Sequence, residues 1–302
     1  RFLGHDRNFS FNAFVLKSSN EGVKGDDAAY GVNAEYPNDK LNMSFTLRDI
    51  QRNFQPSLGF VSRSNVRFLQ TLFEYDPRPK GFLNVRQMFN EFFFTRYTRL
   101  TTGQVESWRI QAAPVNWLFN SGDLIEFNYA PQFERLFEPF QIATGVTLPP
   151  GEYRFTRWRL AGSSASKRPL EVRATWWFGS YWSGHADEVR ITLNYKVAPH
   201  LQMSWDTNQT FARLKEGNFV ARTSSLAVNY SLTPFITVSN LVQYDNDSRN
   251  LGWQARFRWI LRPGNDFFLI FNQGWQQDLH GGLHFETGDT KLAAKFQYTF
   301  RF

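Results

Sequence analysis

The chain has 302 residues, a net charge of +7 and no Cys, and it carries 32 Phe, 11 Tyr and 10 Trp. A hydrophobic content of 42% with this many rings excludes a disordered chain, because such a sequence buries ample apolar surface. No stretch approaches the roughly 18 apolar residues of a membrane-spanning helix, and the lack of Cys excludes disulfide scaffolds and Cys-based metal or haem motifs. Yet the mean hydropathy is only −0.45. Polar character combined with many rings is expected of a chain that presents rings to lipid and polar residues to water.

A hydrophobic period of two runs through almost the whole chain, and no segment longer than about ten residues shows a clean helical stripe. The last segment is the clearest case, since Leu292 and Phe296 alternate with Lys291 and Lys295. The pattern predicts an all-β chain with strands, in chain order, at 7–19, 27–37, 41–51, 65–77, 81–99, 104–119, 123–136, 152–164, 169–183, 187–198, 201–214, 219–232, 235–245, 251–262, 266–278 and 290–302.

The connections between these strands alternate between two sets. One set is short and rich in Pro, Gly, Asn and Asp, which supply tight-turn geometries: 37–40, 77–80, 120–123, 198–200, 233–234 and 263–266. The other set includes the longer segments 52–64, 137–151 and 279–289. Short turns at one end and longer loops at the other predict a transmembrane antiparallel up-and-down β-barrel of about 16 strands, with both chain ends on the periplasmic side. Fourteen or eighteen strands remain open alternatives within the usual error of strand boundaries.

A soluble β-sandwich, solenoid or propeller is the alternative, because many alternating strands fit those folds as well. Three features favour the barrel. The segments are longer than the roughly five to six residues of ordinary strands, aromatic residues cluster near segment ends as in interfacial girdles, and the chain ends in an aromatic strand. We interpret that last strand as the signal read by the outer-membrane assembly machinery, carried by Phe296, Tyr298, Phe300 and Phe302.

Several motifs resemble those of a known bacterial outer-membrane family. Residues 54–63, FQPSLGFVSR, resemble its "FNPxLGFVxR" segment, and residues 256–269 are similar to its "RxRWxYRPGxDxFLVY" signature. Further matches follow in the same order at 122–124, 132–136, 138–140, 148–153, 215–219 and 241–244. The family carries a carbohydrate-binding family 9-like N-terminal domain and a barrel of unknown function.

The resemblance implies a bacterial outer-membrane location and covers nearly all of residues 1–302. The segment from Arg1 to Asp6 contains neither an initiator Met nor the apolar core of a signal peptide. We therefore expect residues 1–302 to form one barrel domain, the C-terminal part of a longer protein. The expected partners are outer-membrane lipid, the assembly machinery and proteins of a larger envelope complex, without nucleic acid.

The sequence offers little sign of catalysis. It has no G-x-S-x-G nucleophile motif, phosphate loop or dinucleotide fingerprint, so we predict neither an enzyme nor a cofactor. His280, His284 and Glu286 are weak candidates for a metal site, because two imidazoles four residues apart could share one ion. A glycine-rich, solvated loop with incidental His explains the same residues more simply.

Basic residues are spread along the strands rather than clustered, which is unlike a nucleic-acid interface. Since a charge on the lipid face costs roughly 2–4 kcal/mol at the midplane, we predict that a set of basic residues faces the lumen: Arg154, Arg173, Arg190, Lys196, Arg256, Arg258, Lys295 and Arg301. Either they bias a passage toward anionic or polyhydroxylated solutes, or they pair with Glu171, Asp206 or Glu126 and fill the lumen. Trp177 on the same side could stack against sugars.

The predicted function is a pore or transport component for small hydrophilic solutes, anionic or glycan-like. The alternative is a plugged structural barrel that anchors or scaffolds a surface or periplasmic complex. An outer-membrane hydrolase is the third possibility.

Overall fold

A computed structural model describes residues 2–3, 8–57, 59–278 and 284–300. The chain forms two compact units. Unit 1 comprises Arg1–Leu160, Trp177–His185 and Arg213–Gly217, and unit 2 comprises Ala161–Trp176, Ala186–Ala212 and Asn218–Phe302. Among the described residues, no helix is long and apolar enough to cross a membrane.

The described residues form twenty strands. Eleven lie in unit 1: β1 (Phe2–Leu3), β2 (Phe9–Lys17), β3 (Ala28–Tyr36), β4 (Leu41–Ile50), β5 (Val66–Tyr75), β6 (Val85–Met88), β7 (Asn90–Arg99), β8 (Val105–Phe119), β9 (Leu124–Leu136), β10 (Phe140–Ala143) and β11 (Val146–Leu148). Five have residues in both units: β12 (Gly151–Ser163), β13 (Leu170–Tyr181), β14 (Gly184–Ala198), β15 (Leu201–Leu214) and β16 (Gly217–Thr233). Four lie in unit 2: β17 (Ile236–Asp245), β18 (Asn250–Arg262), β19 (Asn265–Gln277) and β20 (Phe285–Gln297).

Unit 1 contains an antiparallel meander in which β2, β3, β4, β5, β7, β8 and β9 pair in sequence. Its register separates two faces, because residues paired directly across a sheet point to the same side. The polar face of unit 1 contains one unbroken cross-strand row: Asn12, Asn33, Thr46, Gln70, Thr95, Arg109 and Gln132. The next row lies on the apolar face of unit 1: Ala13, Val32, Leu47, Leu69, Arg96, Trp108 and Phe133.

Unit 2 repeats this two-faced design, with β16 to β20 paired in sequence as an antiparallel meander. The apolar face of unit 2 includes the row Tyr230, Val238, Phe257, Leu269 and Ala294. The polar face of unit 2 includes the row Ala227, Leu241, Gln254, Asn272 and Lys291. The alternation predicted for these strands is therefore confirmed, and the all-β, antiparallel, up-and-down fold class with it.

Each of the sixteen predicted segments contains a strand, but three details differ. Residues 81–99 form two strands, because β6 pairs with the end of β8 while β7 pairs with its earlier part. The last strand runs from Phe285 to Gln297 rather than over 290–302, so part of the predicted loop 279–289 is strand. The short strands β1, β10 and β11 are additional to the prediction.

The β10–β11 hairpin lies inside the segment predicted as a loop at 137–151. Its turn includes Gly145, whose φ of 79° is in the left-handed region that glycine adopts without strain. Val146 and Leu148 are buried, and the ring of Phe140 lies 5.8 Å from that of Trp182 at the β13–β14 connection. This segment of unit 1 is therefore a packed element with its own small core.

Candidate functional site

Three of the predicted basic residues lie on the polar face of unit 2. Arg256 pairs in register with Ser239, Arg258 with Thr237, and Lys295 lies four residues after Lys291 along β20. The Arg258 guanidinium is 3.2 Å from Asp266 and stacks over Phe268 at 5.5 Å. Arg256 is exposed and has no ion-pair or hydrogen-bond partner within the described part of the chain. The charge of Arg256 is thus available to a solute.

Arg173 and Arg190 line a polar pocket in unit 2, with a volume of about 420 Å³. The remaining lining residues are Thr175, Thr192, Asn194 and Asp206. Arg173 lies 2.6 Å from Glu171, and Arg190 lies 3.2 Å from Asp206. The pairings that we predicted for a filled lumen are therefore present at these two arginines. Both guanidinium side chains are still more than half exposed, so each keeps hydrogen-bond donors for a further partner.

Lys196 and Arg301 are two more members of the predicted basic set. The Lys196 ammonium donates to the carbonyl oxygen of Ser166 in unit 2. Arg301 lies outside the described residues.

Arg154 lies on the apolar face of unit 1, contrary to the prediction that it faces the lumen. Its guanidinium stacks over Phe133 at 5.2 Å, and Phe133 belongs to the apolar row. Arg159, five residues further along β12, reaches the opposite side of the sheet and pairs with Glu126. Alternation alone could not choose between these arginines, because basic residues occupy both faces of β12. Glu152 lies 3.6 Å from Arg154 and balances its charge at the end of the strand.

Trp177 is surrounded by arginines that the sequence did not single out. The guanidinium carbons of Arg109 and Arg159 lie 5.8 and 5.6 Å from the Trp177 ring centroid. Arg159 also donates to Asn128 at 3.1 Å and pairs with Glu126, although Arg159 is not among the basic residues that we predicted to pair there. An aromatic face flanked by guanidinium and amide groups suits sugars and carboxylates.

The polar face of unit 1 also carries carboxylates, so its charge is not uniformly basic. Glu74 and Glu91 lie directly opposite each other on β5 and β7. Asn42 donates to Glu74 at 3.0 Å, while Arg63 lies 3.8 Å from Glu134 near the other end of the sheet. The prediction that basic residues face the lumen therefore describes the polar face of β16–β20 better than the polar face of unit 1.

Another cavity in unit 2 has a volume of about 670 Å³. It lies where Gly252 pairs directly with Gly274 and where the backbone of Gly288 approaches Gly274. Because these positions lack side chains, the polar face recedes and leaves a trough. The trough is lined mainly by amides, including Gln243, Asn250, Gln254 and Asn272, and by three charged residues, Asp245, Asp289 and Lys291.

Hydrogen-bond donors and acceptors lie close together along the trough. Gln254 donates to Asn272 at 2.8 Å, and each amide keeps further donor or acceptor capacity. The volume falls within the roughly 300–1,000 Å³ of small-molecule sites. Sequence reasoning missed the trough because isolated glycines in three strands show no common pattern until the register brings them together.

The metal-site candidates do not come together in the described structure. His284 is exposed, and Glu286 pairs with Gln276 within the β19–β20 ladder. His280 lies outside the described residues. Within the described ranges, no three His, Cys, Asp or Glu residues are grouped so as to hold a metal ion.

The aromatic residues proposed as an assembly signal are exposed near the chain end. Phe296 is the penultimate residue of β20, and Tyr298 and Phe300 follow the strand. Their rings contact in series, at 6.4 Å and then at 4.7 Å. Phe302 lies outside the described residues.

No protein-family model matches the chain, and no curated protein matches it either. Among solved structures, the chain is similar to OmpT of Vibrio cholerae, an outer-membrane protein folded in vitro, with 10% identity, a TM-score of 0.37, and coverage of 78% of this chain and 84% of that one. It is also similar to the outer-membrane channel DcaP of Acinetobacter baumannii, with 10% identity, a TM-score of 0.30, and coverage of 98% and 96%. Likeness at this level defines neither a function nor a site.

Proposed function

We propose that the chain is a β-barrel of the bacterial outer membrane whose polar faces line a passage for small hydrophilic solutes. One observation carries the proposal: many large side chains of the apolar faces are exposed, including Val15 at 78%, Leu292 at 69% and Phe296 at 60%. A water-exposed protein rarely presents contiguous apolar patches larger than a few hundred Å². A lipid bilayer is the solvent that covers such a face while the opposite face stays wet.

Strand length supports the same proposal. A tilted membrane strand needs about nine to eleven residues. Strand β8 has 15 residues, β16 has 17 and the shorter β5 has 10. Each long strand therefore has enough residues to cross the hydrocarbon region.

The solute class follows from the polar faces. The trough on unit 2 is lined mainly by amides. Of its three charged residues, Lys291 pairs with Asp289 at 3.2 Å and Asp245 is the third. The unpaired Arg256 is on the same face. We therefore favour neutral polyhydroxylated solutes, with a secondary preference for anions over cations.

The family resemblance fits this proposal and adds its partners. A member of that outer-membrane family would be inserted by the assembly machinery and would act beside a sugar-binding-like domain. The exposed rings of Phe296, Tyr298 and Phe300 would supply the insertion signal.

The experiment is single-channel recording of the purified, refolded chain in planar bilayers, with maltose-series oligosaccharides added to one side. The proposal expects stepwise conductance and transient blocks whose frequency rises with oligosaccharide concentration. A folded chain that inserts but never conducts would support the plugged scaffold instead. Chromogenic ester and glycoside substrates test the third possibility, a hydrolase, and turnover abolished by heat unfolding would establish it.

A further inference from the structure

The apolar face of unit 1 carries a charged site that a pore does not require. Arg96 lies in the apolar row, paired with Leu69 on one side and Trp108 on the other. It is exposed and has no ion-pair partner within the described ranges. An arginine facing lipid costs free energy unless it lies near an interface or meets an anion. Arg96 is three residues from Arg99, the last residue of β7, so on the proposed membrane location it lies toward one end of a spanning strand.

A second arginine lies beside it on the same face. Arg67 pairs in register with Thr98, two residues from Arg96, so the two arginines are diagonal neighbours on β5 and β7. Residues in this relation have Cβ atoms within roughly 8 Å, which is in reach of long side chains.

Asp49 holds Arg67 in a fixed orientation. The Nε and one terminal nitrogen of Arg67 each donate to Asp49 at 2.8 Å in a bidentate pair. The Asp49 side chain is only 5% exposed, whereas that of Arg67 is 55% exposed. The donors of Arg67 that Asp49 leaves unused therefore remain accessible from the membrane side.

An apolar crevice of about 340 Å³ begins at this ion pair and extends across β4 and β3 to β2. On the apolar face it is lined by Ala13, Val15, Tyr30, Val32, Leu47, Asp49 and Arg67. Small side chains at Ala13 and Val32 leave the space open. A narrow apolar crevice that ends at a guanidinium matches a molecule with a hydrocarbon chain and an anionic head.

We propose that this face binds an anionic membrane lipid, whose phosphate is held between Arg67 and Arg96 and whose acyl chain lies in the crevice. The charges are complementary, because Asp49 neutralises one guanidinium and the pair of arginines retains a net positive charge. The site rests on the proposed membrane location. It does not depend on an open lumen, since Arg67, Arg96 and Asp49 all lie on the apolar face of the sheet.

The test is native mass spectrometry of the refolded chain in detergent, titrated with phosphatidylglycerol or phosphatidylcholine of identical acyl chains. Wild-type protein should bind phosphatidylglycerol at least about tenfold more tightly, a difference of roughly 1.4 kcal/mol. Arg96→Gln should remove that preference, and Arg96→Lys should retain part of it. Arg256→Gln is the matched control, because it removes an exposed arginine from the polar face and should leave lipid binding unchanged.

A second variant tests the crevice separately. Ala13→Leu should weaken binding of both lipids alike, because it fills the space for the acyl chain and leaves both arginines in place. Equal binding of the two lipids by wild type, or an undiminished preference in a folded Arg96→Gln variant, would overturn the proposal. Because conductance is recorded separately, a barrel that binds lipid without conducting refutes the pore alone.

Discussion

Gly252 on β18 is paired directly with Gly274 on β19, so two adjacent positions of the polar face of unit 2 carry no side chain. A Cβ at position 252 would meet no atom within 4 Å. Between Gln254 and Asn272 on one side and Asn250 and Gln276 on the other, this gap creates the trough.

Filling the trough should reduce solute binding without harming the fold. We expect Gly252→Trp to lower the frequency of oligosaccharide blocks about tenfold or more, because the indole occupies space that the sugar needs. Gly252→Ala is the matched control and should change block frequency little. The measurement is current-noise analysis in planar bilayers. Unaltered blocking by a folded Gly252→Trp variant would place the binding site elsewhere.

Reversing the free charge on the polar face should change ion preference. We expect Arg256→Glu to shift the reversal potential in a salt gradient toward cation selectivity, because a negative side chain replaces an unpaired positive one in the passage. Arg258→Gln should have a smaller effect, since Asp266 already balances Arg258 at 3.2 Å. Equal reversal potentials for wild type and Arg256→Glu would show that this face does not line the conducting path.

The carboxyl group of Asp76 should make stability depend on pH. Asp76 follows the last residue of β5, and burial, reinforced by the carboxylates of Glu74, Asp39 and Glu91, raises its pKa from 3.8 to about 6. Because the folded-state pKa is above the unfolded-state value, the folded protein binds more protons between these two values. The contribution of this group to stability is therefore greatest below pH 3.8 and is lost as the pH rises through about 6.

Asp76→Asn should accordingly raise the urea midpoint at pH 8 and leave it nearly unchanged at pH 4. For Asp39→Asn we expect the opposite change in the urea midpoint, because the hydrogen bond from Arg78 lowers the pKa of Asp39. That variant should be less stable than wild type at pH 8. The measurement is urea unfolding followed by tryptophan fluorescence across the pH range. A urea midpoint for Asp76→Asn that tracks wild type at every pH would contradict the assignment.

Glu74 and Glu91 face each other with like charges on neighbouring strands. Removing one charge should relieve this repulsion, and cross-strand pairs of this kind are worth about 0.2–1 kcal/mol. We expect Glu91→Gln to raise the free energy of unfolding by an amount in that range at neutral pH. Glu74 is the poorer choice, because it accepts a hydrogen bond from Asn42. A loss of stability in Glu91→Gln would indicate that its carboxylate makes a favourable interaction instead.

The sequence alone was sufficient for the strand pattern, since alternation such as Trp253, Ala255 and Phe257 against Gln254 and Arg256 is a local property of one strand. The register across strands is not local. The β8–β9 ladder shifts between Ala112 and Val115, and such irregularities change which side chains share a face.

The same distinction explains what was missed at the candidate site. The face of Arg154 depends on β12 lying beside Phe133, and the trough depends on Gly252 meeting Gly274. Arg109 and Arg159 converge on Trp177 from β8 and β12, so no spacing along the chain could indicate their proximity. Sequence patterns predicted which strands form, and pairing between strands determined the sites.

The exposed apolar faces also constrain how the chain is delivered to the membrane. Side chains such as Val15 and Leu292 remain exposed after the strands have paired, so folding in water does not hide them. Intermediates with exposed hydrophobic surface aggregate readily at micromolar concentrations. On the proposed location, the apolar faces of the newly made chain must be covered continuously until the chain inserts into lipid. The rate of delivery would then limit yield more strictly than the stability of the finished protein.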